Sequence, residues 1–240
     1  MCFNYSMRKD AGYVKERFGV APTTGFQPFY HHSFHSSPPL PVISTENPTV
    51  LSLYHWGLIP SWIRDRERGE EFRKNTGNAR AESVFEKPSF RDAIRERRCL
   101  VIADGFFEWQ EVDGKNYPYY IRLKSGEAFA FAGIWDQGGY TGSEKTFSLI
   151  TTRANELLEA VHNKKKRMPV ILEKKSEKRW LDPDFTREEM ENMLVPYVEE
   201  EMVAHTVGRL ISQRGKDNNV PGVIEPYEYP ELNTRQTKLF

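Results

Sequence analysis

Cys2 has the most distinctive chemical potential in this sequence, because a single residue, Met1, precedes it. Removal of Met1, which is usual before a small residue, leaves Cys2 with a free α-amine of ordinary pKa about 7.7–8.0. That amine can condense with an aldehyde to an imine, and the adjacent thiol can close on the imine carbon to give a five-membered thiazolidine. An internal cysteine cannot do this, because its nitrogen is an amide. The alternative is a small apolar residue at the start of a strand.

Four further segments carry side chains that suit acid–base and anion-binding chemistry. They read WGLIPSW over 56–62, GNARAES over 77–83, ADGFFEW over 103–109 and HNKKKRMPVIL over 162–172. Behind an N-terminal Met-Cys, and in this order, they resemble the SOS-response-associated peptidase family, also called abasic-site processing proteins. The resemblance runs from Cys2 to about Leu172 and continues more loosely through RLISQRGKDNNVPGVIEP near the end.

The resemblance implies that Cys2 forms a covalent thiazolidine cross-link with abasic sites in single-stranded DNA after Met1 removal, which shields the damage. It implies that Glu108 is the catalytic acid, and burial beside Phe106, Phe107 and Trp109 would raise the pKa of its carboxyl. Asn78 would orient the Cys2 amine or a sugar hydroxyl. His162 would protonate the departing sugar oxygen or orient the aldehyde.

The resemblance also implies DNA-binding residues. Arg80 matches a phosphate-binding arginine, Trp62 matches a tryptophan near the DNA, and Arg167 follows the catalytic histidine. If residues 78–80 are extended, the side chains of Asn78 and Arg80 point to the same side. Basic residues beside stacking aromatics are typical of single-strand binding without sequence preference.

Two departures from the family pattern affect these roles. Many members begin Met-Cys-Gly-Arg, whereas Phe3 and Asn4 follow Cys2 here, so Arg8 is the candidate to replace the missing charge. The family commonly has one residue between the histidine and the following arginine. In this chain Asn163 and three lysines separate His162 from Arg167, so the placement of His162 depends on a longer loop.

A wider basic groove is a weaker prediction. Its candidate members are Arg64, Arg66, Arg68, Arg73, Lys74, Lys164, Lys165 and Lys166. Four acidic residues within 64–71 leave open that this segment is a solvated loop of mixed charge.

Two other functions remain open from the residues alone. Cys2, His162 and Glu108 could form the nucleophile, base and orienting group of a thiol peptidase that removes Met1 in cis. A non-catalytic single-strand binding module would instead bind DNA reversibly and in a salt-sensitive manner, whatever stands at position 2.

Neither a metal nor a cofactor is expected. His31, His32 and His35 form a cluster, but their spacing fits no zinc template and no nearby cysteine or carboxylate completes a ligand set. Cys99 lies in an apolar run and is expected to be a core residue.

Composition limits the class of protein. The 240 residues include 34 Lys and Arg against 34 Asp and Glu, so a partner bound by bulk charge is not expected. Two cysteines indicate a reducing compartment, and the cytoplasm is the expected location. The N-terminus lacks an apolar signal region and no run is long enough for a membrane span. The expected state is a monomer.

The pattern of the chain predicts short strands with helices inserted between them. Strands are predicted at 50–56, 99–104, 117–124, 128–134, 146–152 and near 170–172, and helices at 8–18, 87–98, 154–161 and after Thr186, where Glu189 completes a capping box. Residues 19–48 and 64–74 are predicted to be loops. The expected fold is α+β: one domain over 1–232 with mixed, mostly antiparallel sheets, a barrel-like core and peripheral helices, followed by a flexible tail at 233–240.

Overall fold

Short strands rich in β-branched and aromatic residues make up most of the computed structural model, which describes residues 2–36, 38–213 and 215–232. The strands are β1 Asn4–Met7, β2 Phe29–Ser33, β3 Leu40–Ser44, β4 Asn47–Trp56, β5 Asn78–Arg80, β6 Arg98–Ala103, β7 Gly105–Val112, β8 Lys115–Leu123, β9 Phe129–Asp136, β10 Thr146–Arg153, β11 Arg167–Pro169, β12 Ile171–Leu172 and β13 Met202–Thr206. They form two sheets.

The first sheet has five strands in the order β13-β8-β7-β1-β2. Its neighbouring strands run antiparallel, and β7 and β8 form a hairpin through Asp113 and Gly114, both with positive φ. The short strand β1 therefore lies between β2 and β7. This places the start of the chain inside a sheet instead of at its edge.

The second sheet has eight strands, and five of them close into a ring. The order β11-β10-β4-β3-β6-β9-β12 is joined by β5, which pairs with β10, and by an additional pairing of β9 with β10. That last pairing closes β10, β4, β3, β6 and β9 on themselves, as in a small barrel. The pairings of β10 with β4 and with β5 are parallel, and the others are antiparallel.

The helices are short and lie outside the sheets. They are α1 Ala11–Phe18, α2 Arg66–Arg73, α3 Arg91–Glu96, α4 Glu156–Val161, α5 Glu177–Trp180 and α6 Arg187–Met193. Side chains cap several of them: Asp10 begins α1, Asp65 begins α2, Asn155 begins α4, and Thr186 with Glu189 forms the predicted capping box of α6. No helix within the described residues is long and apolar enough to cross a membrane.

Two apolar clusters hold the sheets together. The large one fills the ring and the space between the ring and the inner face of the five-stranded sheet. The small one lies on the outer face of that sheet and combines Phe107 and Tyr120 with Val207, Ile211 and Val223 of the C-terminal segment. The strand β7 is thus covered on both faces, so its residues are buried from Gly105 to Glu108.

The predicted fold class is confirmed, and so are the strands predicted from 50 to 152. Helix α1 begins at Ala11, and α3 covers only the middle of the segment predicted at 87–98. The proposed tail at 233–240 lies outside the described residues.

Two loop predictions are wrong. Residues 19–48 contain β2, β3 and the start of β4, and residues 64–74 contain α2. The polar side chains of β2 hid the strand, because His31 is buried by hydrogen bonds to Asn4 and Asn218 as well as by the ring of Phe107. Helix α2 buries only Gly69, so its sequence lacks an apolar stripe.

Candidate functional site

Cys2 is fully buried at the start of β1, two residues before that strand pairs with β2 and β7. Its Sγ lies 3.7 Å from the carbonyl oxygen of Asn4. Burial raises the pKa of the Cys2 thiol well above its ordinary value, and the nearby carboxyl of Glu108 raises it further. The thiol is therefore protonated at neutral pH.

Asn78 contacts Cys2 directly. Its Nδ2 donates a hydrogen bond of 2.9 Å to the carbonyl oxygen of Cys2. The parallel pairing of β5 with β10, with Asn78 opposite Leu149, fixes the amide at this place. The other amide atom, Oδ1, is buried and accepts no hydrogen bond from the described residues. An unused buried acceptor thus lies beside the start of the chain.

The segments 56–62 and 77–83 meet behind Asn78. The indole Nε1 of Trp56 donates to the carbonyl oxygen of Gly77 at 2.8 Å, and the ring of Trp56 contacts Tyr5 and Phe34. A Cβ on Gly77 would lie 2.6 Å from the Phe34 ring, so a larger residue would displace that ring. Glycine at 77 therefore allows the strand bearing Asn78 to approach the aromatic cluster.

Glu108 and His162 form a buried pair near Cys2. Oε2 of Glu108, on β7, lies 3.6 Å from Nε2 of His162, the first residue after α4. Burial raises the pKa of Glu108 to about 8 and lowers that of His162 to about 4. At neutral pH the carboxyl is mostly protonated and the imidazole is neutral, so a neutral acid faces a neutral base.

The tautomer of His162 follows from its second nitrogen. Nδ1 lies 2.8 Å from the carbonyl oxygen of Arg167, which can only accept a hydrogen bond. Nδ1 therefore carries the proton, and the lone pair of Nε2 points towards Glu108. The longer loop between His162 and Arg167 thus leaves the histidine in the site that the sequence predicted for it.

The predicted DNA-binding arginines have different surroundings. Arg80 is exposed at the end of β5. Arg167 makes a bidentate pair with Glu82, at 2.7 and 3.0 Å, and donates to the carbonyl oxygen of Thr151 at 2.7 Å. The guanidinium of Arg167 therefore already has an anionic partner, which lowers the pKa of Glu82, whereas Arg80 presents its charge to solvent.

Arg8 belongs to a network that the sequence did not predict. Its Nε donates to Oδ2 of buried Asp104 at 2.7 Å, and the hydroxyl of Ser6 donates to Oδ1 of the same carboxylate at 2.7 Å. Tyr120 lies 2.9 Å from the Ser6 hydroxyl. A Cβ on Gly105 would overlap the Tyr120 ring, which explains the glycine in ADGFFEW. The network fixes β1 against β7 and so sets Cys2 relative to Glu108.

Trp62 is 45% exposed and lies above α2. Phe72 contacts its ring edge at 5.7 Å between centroids, and the guanidinium of Arg68 lies 5.8 Å from its centroid. Arg73 instead donates to the carbonyl oxygen of Trp56 at 3.0 Å. The segment that carries the basic residues 64–74 is thus an ordered helix that supports an exposed indole.

The histidines at 31, 32 and 35 do not share a ligand. Nδ1 of His31 lies 2.9 Å from Oδ1 of Asn218, and its Nε2 lies 2.9 Å from Oδ1 of Asn4. Within the described residues, no three His, Cys, Asp or Glu side chains are arranged to hold a metal ion. Cys99 is fully buried in the ring, as expected for a core residue.

Comparison with known proteins gives one family. The family model described as SOS response associated peptidase (SRAP) matches residues 1–214. The abasic site processing protein YoqW of Bacillus subtilis is 36% identical over 236 residues, which cover 95% of this chain and 100% of the relative. The abasic site processing protein YoaM of the same species is 34% identical over 221 residues, 88% of this chain and 93% of the relative.

A solved structure agrees with this assignment. A protein from Bacteroides thetaiotaomicron superposes with a TM-score of 0.88 at 34% identity, over 95% of this chain and 100% of the other. The similarity therefore extends over both sheets and includes all four segments that carry the site.

Proposed function

This chain belongs to the SOS response associated peptidase family, and we propose from that membership that it captures abasic sites in single-stranded DNA as a covalent cross-link. Two relatives carry the name abasic site processing protein. The observation that carries the proposal is the convergence on Cys2 of Asn78, by a hydrogen bond, and of Glu108, whose carboxyl is close enough to raise the pKa of the thiol. Removal of Met1 would expose the Cys2 amine between these two side chains.

The first step opens the sugar. An abasic deoxyribose is mostly a closed hemiacetal, so its ring oxygen must gain a proton and its anomeric hydroxyl must lose one. Glu108, held protonated by burial, donates to the ring oxygen as the bond to C1′ breaks. Nε2 of His162 accepts the hydroxyl proton and returns it to Glu108 across the 3.6 Å that separate them. The aldehyde forms with no net gain or loss of protons.

The second step joins the protein to the sugar. The Cys2 amine attacks C1′, and the resulting carbinolamine loses water, with Glu108 protonating the leaving hydroxyl, to give an imine. The thiol then adds across the carbon–nitrogen double bond: sulfur bonds to C1′ and the thiol proton passes to nitrogen. One water leaves overall. A thiol of raised pKa suits this order of events, because the amine is the first nucleophile.

Other groups hold the substrates. The unused Oδ1 of Asn78 is a suitable acceptor for the freed Cys2 amine. The exposed guanidinium of Arg80 suits a phosphate, and the exposed indole of Trp62 suits stacking on a base. The chemistry needs no metal or cofactor. All these groups come from one copy of the chain, so a monomer suffices, and a reducing compartment such as the cytoplasm keeps the thiol free.

A thiol peptidase is less consistent with the site. Reactive cysteines have a lowered pKa, because the thiolate is the nucleophile. Burial and Glu108 both raise the pKa of Cys2. Removal of Met1 in cis remains within the proposal as a single event. A lyase side activity also belongs to it, since the imine permits β-elimination of the 3′ phosphate until the thiol closes the ring.

The test is the intact mass of the protein after mixing with an oligonucleotide that carries one abasic site. We expect an adduct equal to the sum of both masses minus one water. Cys2→Ala should abolish it, and so should an extension before Cys2 that the intact mass shows to be retained. Cys99→Ala is the matched control, because it removes the other buried thiol and should leave the adduct intact.

The outcomes separate the alternatives. Reversible, salt-sensitive binding without an adduct would contradict the proposal and favour a binding module. An adduct that survives the extension would show that the α-amine is not the nucleophile, and would favour the thiol alone.

A further inference from the structure

The segment that carries His162 follows the edge of β7 as a closed turn. The amide of Lys166 donates to the carbonyl oxygen of His162 at 2.8 Å, and Lys166 has φ of 48°, in the left-handed region. The chain then enters β11 at Arg167. Lys164, Lys165 and Lys166 are exposed, so apolar packing of their side chains does not hold this turn in place. Polar contacts must therefore position the turn.

Asn163 makes those contacts with the backbone of β7. Its Oδ1 accepts from the amide of Glu111 at 3.0 Å, and its Nδ2 donates to the carbonyl oxygen of Glu111 at 2.8 Å. One side-chain amide thus reproduces the pair of bonds that a neighbouring antiparallel strand would make. Lys164 adds an ion pair with the Glu111 side chain, but its ammonium is largely exposed and the pair contributes little.

The position of this contact along β7 relates it to the catalytic pair. The neighbouring strand β1 pairs with β7 only at Gly105 and Phe106. Asn163 occupies the same edge at Glu111, three residues after Glu108. Glu108 therefore lies between two fixed points, and the second of them belongs to the residue next to His162.

We propose that Asn163 is a positioning residue that keeps His162 opposite Glu108 by docking its turn on β7. This inference rests on the proposed function and concerns the proton exchange within it. The other charged or titratable groups that act on the pair are the N-terminal amine, which lowers the pKa of both, and Lys165, which lowers that of His162; Glu108 in turn raises the pKa of Cys2. The longer loop of this chain thus carries its own means of placing the histidine.

The test compares Asn163→Ala with Asn116→Ala. Asn116 is the cross-strand neighbour of Glu111 on β8, and its side chain is exposed. We expect Asn163→Ala to lower the single-turnover rate of cross-linking about tenfold or more, while the affinity for an intact single strand of the same sequence stays within twofold. Asn116→Ala should change neither quantity.

A second measurement does not depend on cross-linking. Burial lowers the pKa of His162 to about 4. Release of the turn in Asn163→Ala should raise that pKa towards 6.5, and NMR titration of the imidazole ring measures the change. Asn163→Asp replaces Asn163→Ala in the rate measurement if the alanine variant is unstable. Its ionised carboxylate would face the Glu111 carbonyl oxygen, and protonation at low pH should restore the donor. The rate relative to wild type should therefore recover as the pH falls.

Failure of this inference differs from failure of the proposed function. A wild-type protein that gives no adduct contradicts the proposed function, and the His162 titration still tests the positioning. If Asn163→Ala cross-links at the wild-type rate and His162 titrates as before, Asn163 has no positioning role.

Discussion

At the scale of single residues, the site combines an acid that holds its proton with a base that has none. Glu108 and His162 have pKa values of about 8 and about 4, the reverse of their ordinary order. Burial causes both shifts, because it disfavours the charged form of each side chain. The pair can therefore donate a proton and accept one at the same pH, which opening of a hemiacetal requires.

This arrangement predicts how the cross-linking rate depends on pH. The amine of Cys2 must be neutral, with an ordinary pKa of about 7.7–8.0, and Glu108 must be protonated, with a pKa of about 8. We expect a bell-shaped profile with its maximum near pH 8. Glu108→Gln should lower the rate by about 10²–10⁴ and remove the alkaline limb, measured by single-turnover gel assays. An unchanged alkaline limb in this variant would assign that limb to another group.

The same shifts predict the stability of the fold against pH. The folded pKa of Glu108 is raised, so its contribution is complete below its ordinary value of 4.5 and is lost as the pH rises to about 8. The folded pKa of His162 is lowered, so its contribution is lost as the pH falls from 6.5 to about 4. Wild type should therefore lose stability relative to Glu108→Gln between pH 5 and 8, by at most about 1.4 kcal/mol per unit. Urea unfolding at several pH values tests this, and parallel curves would contradict it.

The sequence singled out the residues to which we assign catalysis, but it did not predict the residues that fix them. Glu108 and Asn78 lie within recognisable motifs, whereas Asp104 and Asn163 act through contacts that depend on the fold. The carboxylate of Asp104 joins Ser6 and Arg8 from another strand. Nothing in the local pattern of ADGFFEW or HNKKKRM specifies such a partner.

At the scale of elements, prediction succeeded where an apolar segment is long. It failed where a strand is polar or, like the buried β3, short and next to several prolines. The segments CLVIAD and TFSLITT bury all or nearly all of their residues in β6 and β10, so their composition sufficed. The strands β1 and β7 were missed because NYSM is too short to show alternation and because GFFEWQEV combines buried polar with apolar residues. The signal for α2 was the N-cap Asp65, with Glu67 in the first turn.

One buried cation joins three elements and predicts a large effect on stability. The guanidinium of Arg98 is fully buried and donates only to carbonyl oxygens: those of Ile94 and Arg95 in α3, of Trp180 in α5, and of Asp182. Arg98→Met would remove the guanidinium donor from all four carbonyl oxygens, of which, within the described residues, only that of Asp182 also accepts from the amide of Phe185, and should cost about 3 kcal/mol or more. Urea unfolding measures the loss. Arg95→Met, an exposed arginine of α3, is the matched control and should cost less than about 0.5 kcal/mol.

At the scale of the whole molecule, a net charge of zero limits how the protein binds DNA. Electrostatic attraction to DNA must come from a few positively charged side chains at particular positions. Many surface cations are instead paired with acids of the same chain, as Arg167 is with Glu82. We therefore expect the affinity for DNA to depend less on salt concentration than it does for strongly basic DNA-binding proteins.

This gives contrasting predictions for Arg80 and Trp62. Arg80→Ala should lower the affinity for a single strand and reduce the slope of log K against log salt by about 0.7, the value for one lost phosphate contact. Trp62→Ala should cost about 1–3 kcal/mol of binding without changing the slope, because stacking releases no counterions. Fluorescence anisotropy at several salt concentrations measures both.

A control separates specific from general charge effects. Arg91→Ala removes an exposed arginine of α3 and should leave the slope unchanged. Equal effects of the Arg80 and Arg91 variants would show that no particular arginine contacts the phosphates.

The position of β1 inside the sheet also limits when Met1 can be removed. Cys2 has no exposed surface once β1 lies between β2 and β7, so an aminopeptidase can reach the bond before it only while the nascent chain is still open. The ribosome must add more than a hundred residues before β7 exists, which takes on the order of ten seconds. If an aminopeptidase removes Met1, as the proposed function requires, it has to act within that interval.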